Sequence, residues 1–492
     1  MSPEQLIVAS VLLPLISAVL VVACRQRPNL RETVTLVSGG LLLATVGLLV
    51  GSVDTRPAIN LVDVIPGSID QPAIAIGFHV EPLGLLFALV ASGLWIATSV
   101  YSIGYMRSHG EQHQTRFYVC FAIAIAAVMG IAFARNLLTL FLFYEVLTLS
   151  TYPLVTHHGT EAAKRAGRTY LGILMGTSIV GLLLAILWTW QLAGTLEFKP
   201  GGILDGHVDP LTAGLLLALF AFGTGKAALM PLHRWLPAAM VAPTPVSALL
   251  HAVAVVKAGV FTILKVGVYI FGIDLLGRGG SSVWLMYVAG ATLLTASLIA
   301  LTRDNLKERL AYSTISQLAY IVLGISLATE SGVIGSGMHI VMHAFGKITL
   351  FFCAGAILIG AHKTRVSELD GLGRRMPWTF AAFSIGALSV IGLPPAGGCW
   401  SKWFLALGTV EAGQWPLLAA LMISSLLNIA YLAPIPLRAF LRDPADVADD
   451  ASAGGEAPLA CVIPLCLTAA GCVVLFFNAD LIYQFLSSVT SK

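Results

Sequence analysis

Charge is what this sequence has least of. Asp, Glu, Lys and Arg together supply 11% of its 492 residues, less than half of the roughly 25% that soluble domains carry. That scarcity excludes an ordinary water-soluble globular chain. A net charge of +3 offers no broad basic surface, so nucleic acid is not an expected partner. Paired thiols are missing too. Seven cysteines are scattered with no CxxC spacing, which leaves no redox or metal role and makes them small apolar packing residues. Nucleotide-binding motifs and cofactor ligand sets are equally absent, so any energy for work must come from an ion gradient or from partner subunits. The opening MSPEQ lacks both a basic stretch and a small-residue cleavage site, and the first apolar run is therefore expected to be a retained helix.

What fills the space is apolar sequence in long runs. Hydrophobic residues make up 57% of the chain, grouped in stretches near the ~20 residues that cross a bilayer as a helix. Only helices satisfy their own backbone groups in lipid at that segment length, which predicts an all-α polytopic membrane protein. About fourteen spans are read, near 5–24, 33–51, 82–104, 117–134, 137–156, 168–192, 210–230, 244–270, 281–302, 311–329, 332–361, 378–407, 413–437 and 458–486. The segment 52–81 reads as an exposed hairpin or loop. The segment 438–457, with Asp443, Asp446, Asp449, Asp450 and Glu456, reads as a flexible solvated linker. With the amino terminus outside, 18 of the 28 basic residues fall in cytoplasmic loops and five in outer loops or the carboxyl terminus. The positive-inside rule favours that orientation and puts both termini outside.

The count leaves five lysines inside or at the ends of spans: Lys226, Lys257, Lys265, Lys347 and Lys402. An ammonium in mid-bilayer costs a few kcal/mol on insertion scales, so each needs a reason. Lys265 sits near a span end, where its stem can reach the interface, and is expected to be peripheral. The other four lie deeper. Among the acidic residues only Glu145 falls in mid-span, which suggests a pair with a buried lysine. Lysine suits a group that must release protons, and no arginine lies in mid-span. Histidines extend the set. His251 precedes Lys257 by six residues, and His339, His343 and Lys347 recur at i, i+4 and i+8, one face of one helix. Two histidines at i, i+4 also suit a metal, but no acidic or cysteine ligand accompanies them. Lys226 and Lys402 each sit beside a break: Gly223, Gly225 and Pro231 for the first, and Gly392, Pro394, Pro395, Gly397 and Gly398 for the second. Broken helices in corresponding places of two halves are the sequence pointer to a transport site.

The motifs that hold these residues resemble a known family. FYEVLTLSTYPLV around Glu145, GKAALMPLHRWLPAAMVAPTPVSALLHAVAVVKAGVF, NLKERLAYSTISQLAYI, HIVMHAFGKITLFFCAGA and ELDGLGRRMPWTF leading to GLPPAGGCWSKW are similar to the antiporter-like proton-translocating subunits of respiratory complex I, membrane-bound hydrogenases and Mrp-type cation/proton antiporters. The resemblance implies fourteen helices with two inverted five-helix repeats, here 117–275 and 276–440, preceded by helices in 1–116 and followed by an acidic loop and last helix in 441–492. It also implies roles: Glu145 as partner of Lys226, His251 and Lys257 as a central relay, His339, His343 and Lys347 as its continuation, and Lys402 as the exit residue. Length and the SKW at Lys402 favour the D-type member of the Mrp antiporters, exchanging Na⁺ or K⁺ for protons beside other membrane subunits in a prokaryotic cytoplasmic membrane. Complex I and hydrogenase-type subunits share every motif quoted, and the chain would be part of a translocase only within such a redox complex. A subunit that keeps the fold and conducts nothing is a further alternative, against which four intact buried charges argue.

Overall fold

A computed structural model describes residues 1–66, 74–443 and 455–490. Asp446, Asp449, Asp450 and Lys492 lie outside the described residues. The helices are α1 (Pro3–Ala23), α2 (Pro28–Leu49), α3 (Pro82–Ser108), α4 (Gln114–Ala132), α5 (Leu137–Val155), α6 (Glu161–Ala193), α7 (Pro210–Gly223), α8 (Thr244–Phe271), α9 (Val283–Thr302), α10 (Leu306–Ser326) and α11 (Glu330–Ala361), followed by α12 (Pro377–Ile391), α13 (Gly398–Glu411), α14 (Trp415–Leu441), α15 (Leu459–Phe477) and α16 (Ala479–Thr490). Eleven are long and apolar enough to cross a membrane, and α7 and α12 are shorter apolar helices. With α10 these account for the fourteen expected spans: α13 completes the twelfth and α16 the fourteenth.

Local chemistry sets the helix ends. Before α3, Glu81 accepts from Leu83 N and Gly84 N, with Pro82 at the first helical position, where a missing N–H costs nothing. Asn136 caps α5 through Thr139 N and donates to Ala75 O. Thr160 and Thr329 cap α6 and α11 through their hydroxyls. Between α2 and α3, β1 (Ala58–Ile65) and β2 (Ile74–His79) form an antiparallel hairpin. The hairpin agrees with the sequence, but only in part with exposure: β1 faces out, whereas β2 is mostly buried beneath the amino end of α5.

Loops alternate between two faces. On one, Arg31 reaches Gln114, Arg116 reaches the His157 carbonyl, Lys307 reaches the Ala242 carbonyl and Ser367 meets Asp304. On the other, Leu137 N meets Leu196 O, Lys199 N meets Tyr269 O, Arg278 pairs with Asp205 and Ser331 meets Glu411. The first is the basic face of the sequence count. α8 forms the axis, with its apolar window wholly buried. The outer helices present Val19, Leu48, Val180, Leu426 and Leu467 outward, each more than 60% exposed, as a lipid-facing wall requires.

Candidate functional site

Lys226 owes its place to glycine. α7 stops at Gly223 because the chain there lies on the backbone of α6: a Cβ on Gly223 would fall 2.2 Å from Leu182 N. The chain then makes one tight turn, Gly225–Ala227, against Gly259 of α8, where a Cβ would meet Ala227 N at 2.4 Å. Lys226 is fully buried in that turn. Its Nζ donates to the Tyr144 carbonyl at 2.9 Å and the Thr148 hydroxyl at 2.5 Å, and stands 3.1 Å from the centre of the Tyr144 ring. Glu145 is the neighbour of these partners, yet no ion pair joins it to Lys226 among the described residues. Both of its carboxylate oxygens are buried without a hydrogen-bond partner, and it acts on Lys226 through space. The expected pair is thus a proximity, because Tyr144 and Thr148 occupy the ammonium.

The second half of the set is joined by contacts. Lys257 Nζ lies 2.6 Å from His343 Nδ1. His343 stacks on His339 with ring centres 5.6 Å apart and planes within 7°, as one helical face requires. His339 Nδ1 meets the Ser401 hydroxyl at 2.9 Å, and its ring stacks on Tyr320. Lys347, one turn beyond His343, donates to Ser313 Oγ at 2.6 Å and Leu310 O at 3.3 Å. Ser313 also receives the Tyr431 hydroxyl at 2.8 Å. With the Asn428 amide oriented so that its oxygen faces Lys402, that oxygen accepts from Lys402 Nζ at 3.0 Å and its nitrogen donates to Tyr431 Oη at 2.5 Å. Lys402 further donates to Ile391 O at 2.9 Å and Ser425 Oγ at 3.3 Å. A polar chain therefore runs Lys347, Ser313, Tyr431, Asn428, Lys402. Sequence reading missed its three middle members: a Ser, a Tyr and an Asn on apolar helices carry no signal of their own.

The break before Lys402 has the same origin as that at Lys226. A Cβ on Gly398 would fall 1.8 Å from Ser389 O, so α13 begins against the end of α12 and brings Lys402 back toward Ile391. His251 lies on α8 with Lys257. It lies on a π turn of α8, Leu249–Val253, with both ring nitrogens buried and unpartnered. The charges that reach it are those of Lys347 and Lys307.

Lys265 requires correction. Expected at an interface, it is 0% exposed and pairs with Glu81 at 3.3 Å. It also donates to the carbonyls of Ala132 and Ala134. The loop after α4 and the residues leading into α3 close over the end of α8, so the stem has no route to water. Glu81, read as part of a loop, supplies the counter-charge and accepts from Tyr269 Oη at 2.6 Å. The one available signal was its position directly before a Pro that opens a span.

Known proteins are similar to this chain in sequence and fold. The family described as NADH:quinone oxidoreductase/Mrp antiporter, transmembrane, matches residues 134–428, and the complex I chain 5 amino-terminal family matches 68–118. NADH-quinone oxidoreductase subunit N of Desulforudis audaxviator is 33% identical over 427 residues, 84% of either chain. Hydrogenase-4 component B of Escherichia coli is 30% identical over 426 residues, 82% of this chain and 62% of its own length, so this chain spans less than two thirds of that relative. In structure, a chain of the Mrp complex from Dietzia sp. DQ12-45-1b superposes with a TM-score of 0.87 at 23% identity, over 100% of this chain and 97% of the other. The fourteen spans, the two broken helices and these matches together place the chain in the NADH:quinone oxidoreductase/Mrp antiporter transmembrane family.

Proposed function

We propose that the chain is the proton-translocating subunit of a multisubunit monovalent cation (Na⁺ or K⁺)/proton antiporter. The observation that carries this reading is the buried polar line from Lys257 through His343 and His339, and from Lys347 through Ser313, Tyr431 and Asn428, converging on Lys402. A wet or proton-carrying route is what such groups inside a membrane ordinarily mark. Lys226, with Glu145 nearby, is the loading end, and a charge or shape change in a neighbouring subunit sets the direction of transfer. The chain sits in a prokaryotic cytoplasmic membrane with the basic face inward and both termini outside, and residues 117–275 and 276–440 act as inverted repeats, each holding one broken helix.

The test is ion-driven pH change in inverted membrane vesicles from cells expressing the chain with its native partners. Lys226→Ala and Lys402→Ala are each expected to reduce exchange by about a hundredfold, the low end for a group that itself carries the proton. Full exchange in both variants overturns the reading. A second reading has support from the complex I and hydrogenase relatives: proton pumping within a redox complex. Vesicles with electron transfer blocked separate the two. Exchange driven by an imposed Na⁺ or K⁺ gradient then persists for an antiporter and is lost for a redox pump.

A further inference from the structure

Outside the central line, one cluster of ionisable groups has no assigned work. It lies on the basic face, where the loop after α3 meets the loop after α5. Glu111 is its hub, with 6% of its side chain exposed. His109 Nδ1 lies 3.1 Å from one carboxylate oxygen and His158 Nε2 3.2 Å from the same oxygen, while His157 Nε2 lies 3.6 Å from the other. Exposure falls inward through the set, from 43% for His109 and 36% for His158 to 2% for His157. Both nitrogens of His157 are buried without a hydrogen bond. Among the described residues no group of His, Cys, Asp or Glu is spaced to hold a metal ion.

The neighbours point inward. Tyr105 stacks on His109 at 5.5 Å. Arg116 of α4 donates to the His157 carbonyl, and so holds that loop without neutralising Glu111. Lys307, at the start of α10, donates to the Ala242 carbonyl at 2.6 Å and lies within electrostatic range of Glu111 and His158. The same lysine is one of two that reach His251, and His251 in turn acts on His343. Lys307 is therefore within electrostatic reach of both the rim cluster and His251.

Resting on proton translocation by this chain, we propose that His109, Glu111, His157 and His158 form a proton-intake site on the basic face, with His157 as its inner end. A hydronium gives its proton to an imidazole nitrogen of His158 or His109 and leaves as water. Glu111 takes the proton from that imidazolium and passes it to the unprotonated ring nitrogen of His157, whose Nε2 stands 3.6 Å from the carboxylate. Each transfer makes one N–H or O–H bond and breaks another, so no co-reactant is needed. Electrostatics agree with the order. Burial pushes the Glu111 carboxyl up, but contacts with His157 and His158 outweigh it and hold the group well below the usual carboxylate range. The hydrogen bond to Glu111, against the effect of burial, raises His158 above an ordinary imidazole. An ionised hub with a readily protonated rim is suited to collecting scarce protons.

The experiment compares parent, Glu111→Gln, His157→Asn, Lys226→Ala and Lys402→Ala in the same inverted vesicles, across pH and with or without imidazole. Glu111→Gln and His157→Asn are expected to slow exchange about tenfold near pH ~8.5, where free protons limit, and less than about twofold near pH ~6. Added imidazole, a diffusible proton carrier, should restore most of the loss; a merely structural defect would not be restored. A loss that is equal at both pH values and unmoved by imidazole overturns the proposal, as does parental exchange at every pH. Lys226→Ala separates the two levels. If it abolishes exchange while the rim variants behave as parent, the intake site fails and proton translocation stands. If it and Lys402→Ala both exchange fully, proton translocation fails and the intake site falls with it.

Discussion

Removing Glu81 should damage the fold far more than removing the lysine it faces, and the structure sets the size of the difference. The Glu81 carboxylate accepts from Leu83 N at 2.9 Å, Gly84 N at 2.8 Å, Tyr269 Oη at 2.6 Å and Lys265 Nζ, its ion-pair partner at 3.3 Å. In Glu81→Ala, Lys265 is left fully buried with two carbonyls and aromatic rings for partners but no counter-charge, a loss of about 3–5 kcal/mol for an orphaned buried charge. The cap of α3 goes with it, for about 1 kcal/mol more. In Lys265→Met the carboxylate keeps three donors, so the loss is about 1–3 kcal/mol. The paired change Glu81→Gln with Lys265→Met removes both charges and retains an acceptor for the cap. It should return to within about 2 kcal/mol of the parent, since a buried ion pair is roughly neutral against an uncharged replacement. The assay is thermal survival of the purified complex in detergent, read as the folded fraction by size-exclusion chromatography. A Glu81→Ala protein as robust as the parent would refute the reasoning, and so would a paired variant that loses the sum of the single losses.

Two further substitutions probe the buried line. Tyr431→Phe deletes the hydroxyl that joins Ser313 to Asn428, and should cost about 1–3 kcal/mol in stability while slowing exchange; an unchanged rate would assign transfer to the branch through His339 and Ser401. Gly259→Ala places a methyl 2.4 Å from the Ala227 nitrogen and the Lys226 carbonyl carbon. It should cost about 1–3 kcal/mol by overpacking and lower exchange by displacing Lys226 from Tyr144 and Thr148. Gly172→Ala on α6, with nothing within 4 Å, should leave both stability and exchange at parental values.

How far the sequence could be read follows from what each feature depends on. Spans are local: hydropathy and length decide them, and all fourteen fall where α1 to α16 lie. The breaks at Lys226 and Lys402 were legible because Gly and Pro disturb a helix by their own covalent structure. The stripe of His339, His343 and Lys347 follows from helical periodicity alone. What failed to show depended on contacts between distant segments. Ser313 on α10, and Tyr431 and Asn428 on α14, become a bridge only when α10, α11 and α14 pack together. Position along the chain misjudged Lys265, since a span end is interfacial only if nothing folds over it, and here residues near 81 and 134 do. The same limit applies to Glu145. Its placement in mid-span was correct, but the Lys226 ammonium is taken by the Tyr144 carbonyl and the Thr148 hydroxyl on the same helix.

These differences divide the five buried lysines by their acceptors. Among the described residues Lys265 alone of the five has a carboxylate within ion-pair distance, and that carboxylate is itself fixed by a helix cap and a tyrosine. Lys226, Lys257, Lys347 and Lys402 donate to carbonyls, hydroxyls and an imidazole. A buried ion pair is costly to open because separation strands a charge, so Lys265 is placed to hold structure. Among the described residues no carboxylate stands within ion-pair distance of the other four, and neutral acceptors lose little when the amine gives its proton up. Glu145 stands apart from both groups, near enough to act on Lys226 through space and free of any bond that would lock it there. A carboxylate so placed bears on whether Lys226 is charged without occupying its donors, which is the arrangement a gated first step needs. Glu145→Gln should accordingly slow loading of Lys226 without the loss of fold expected for Glu81→Ala, measured as reduced exchange in vesicles whose complex survives heating like the parent.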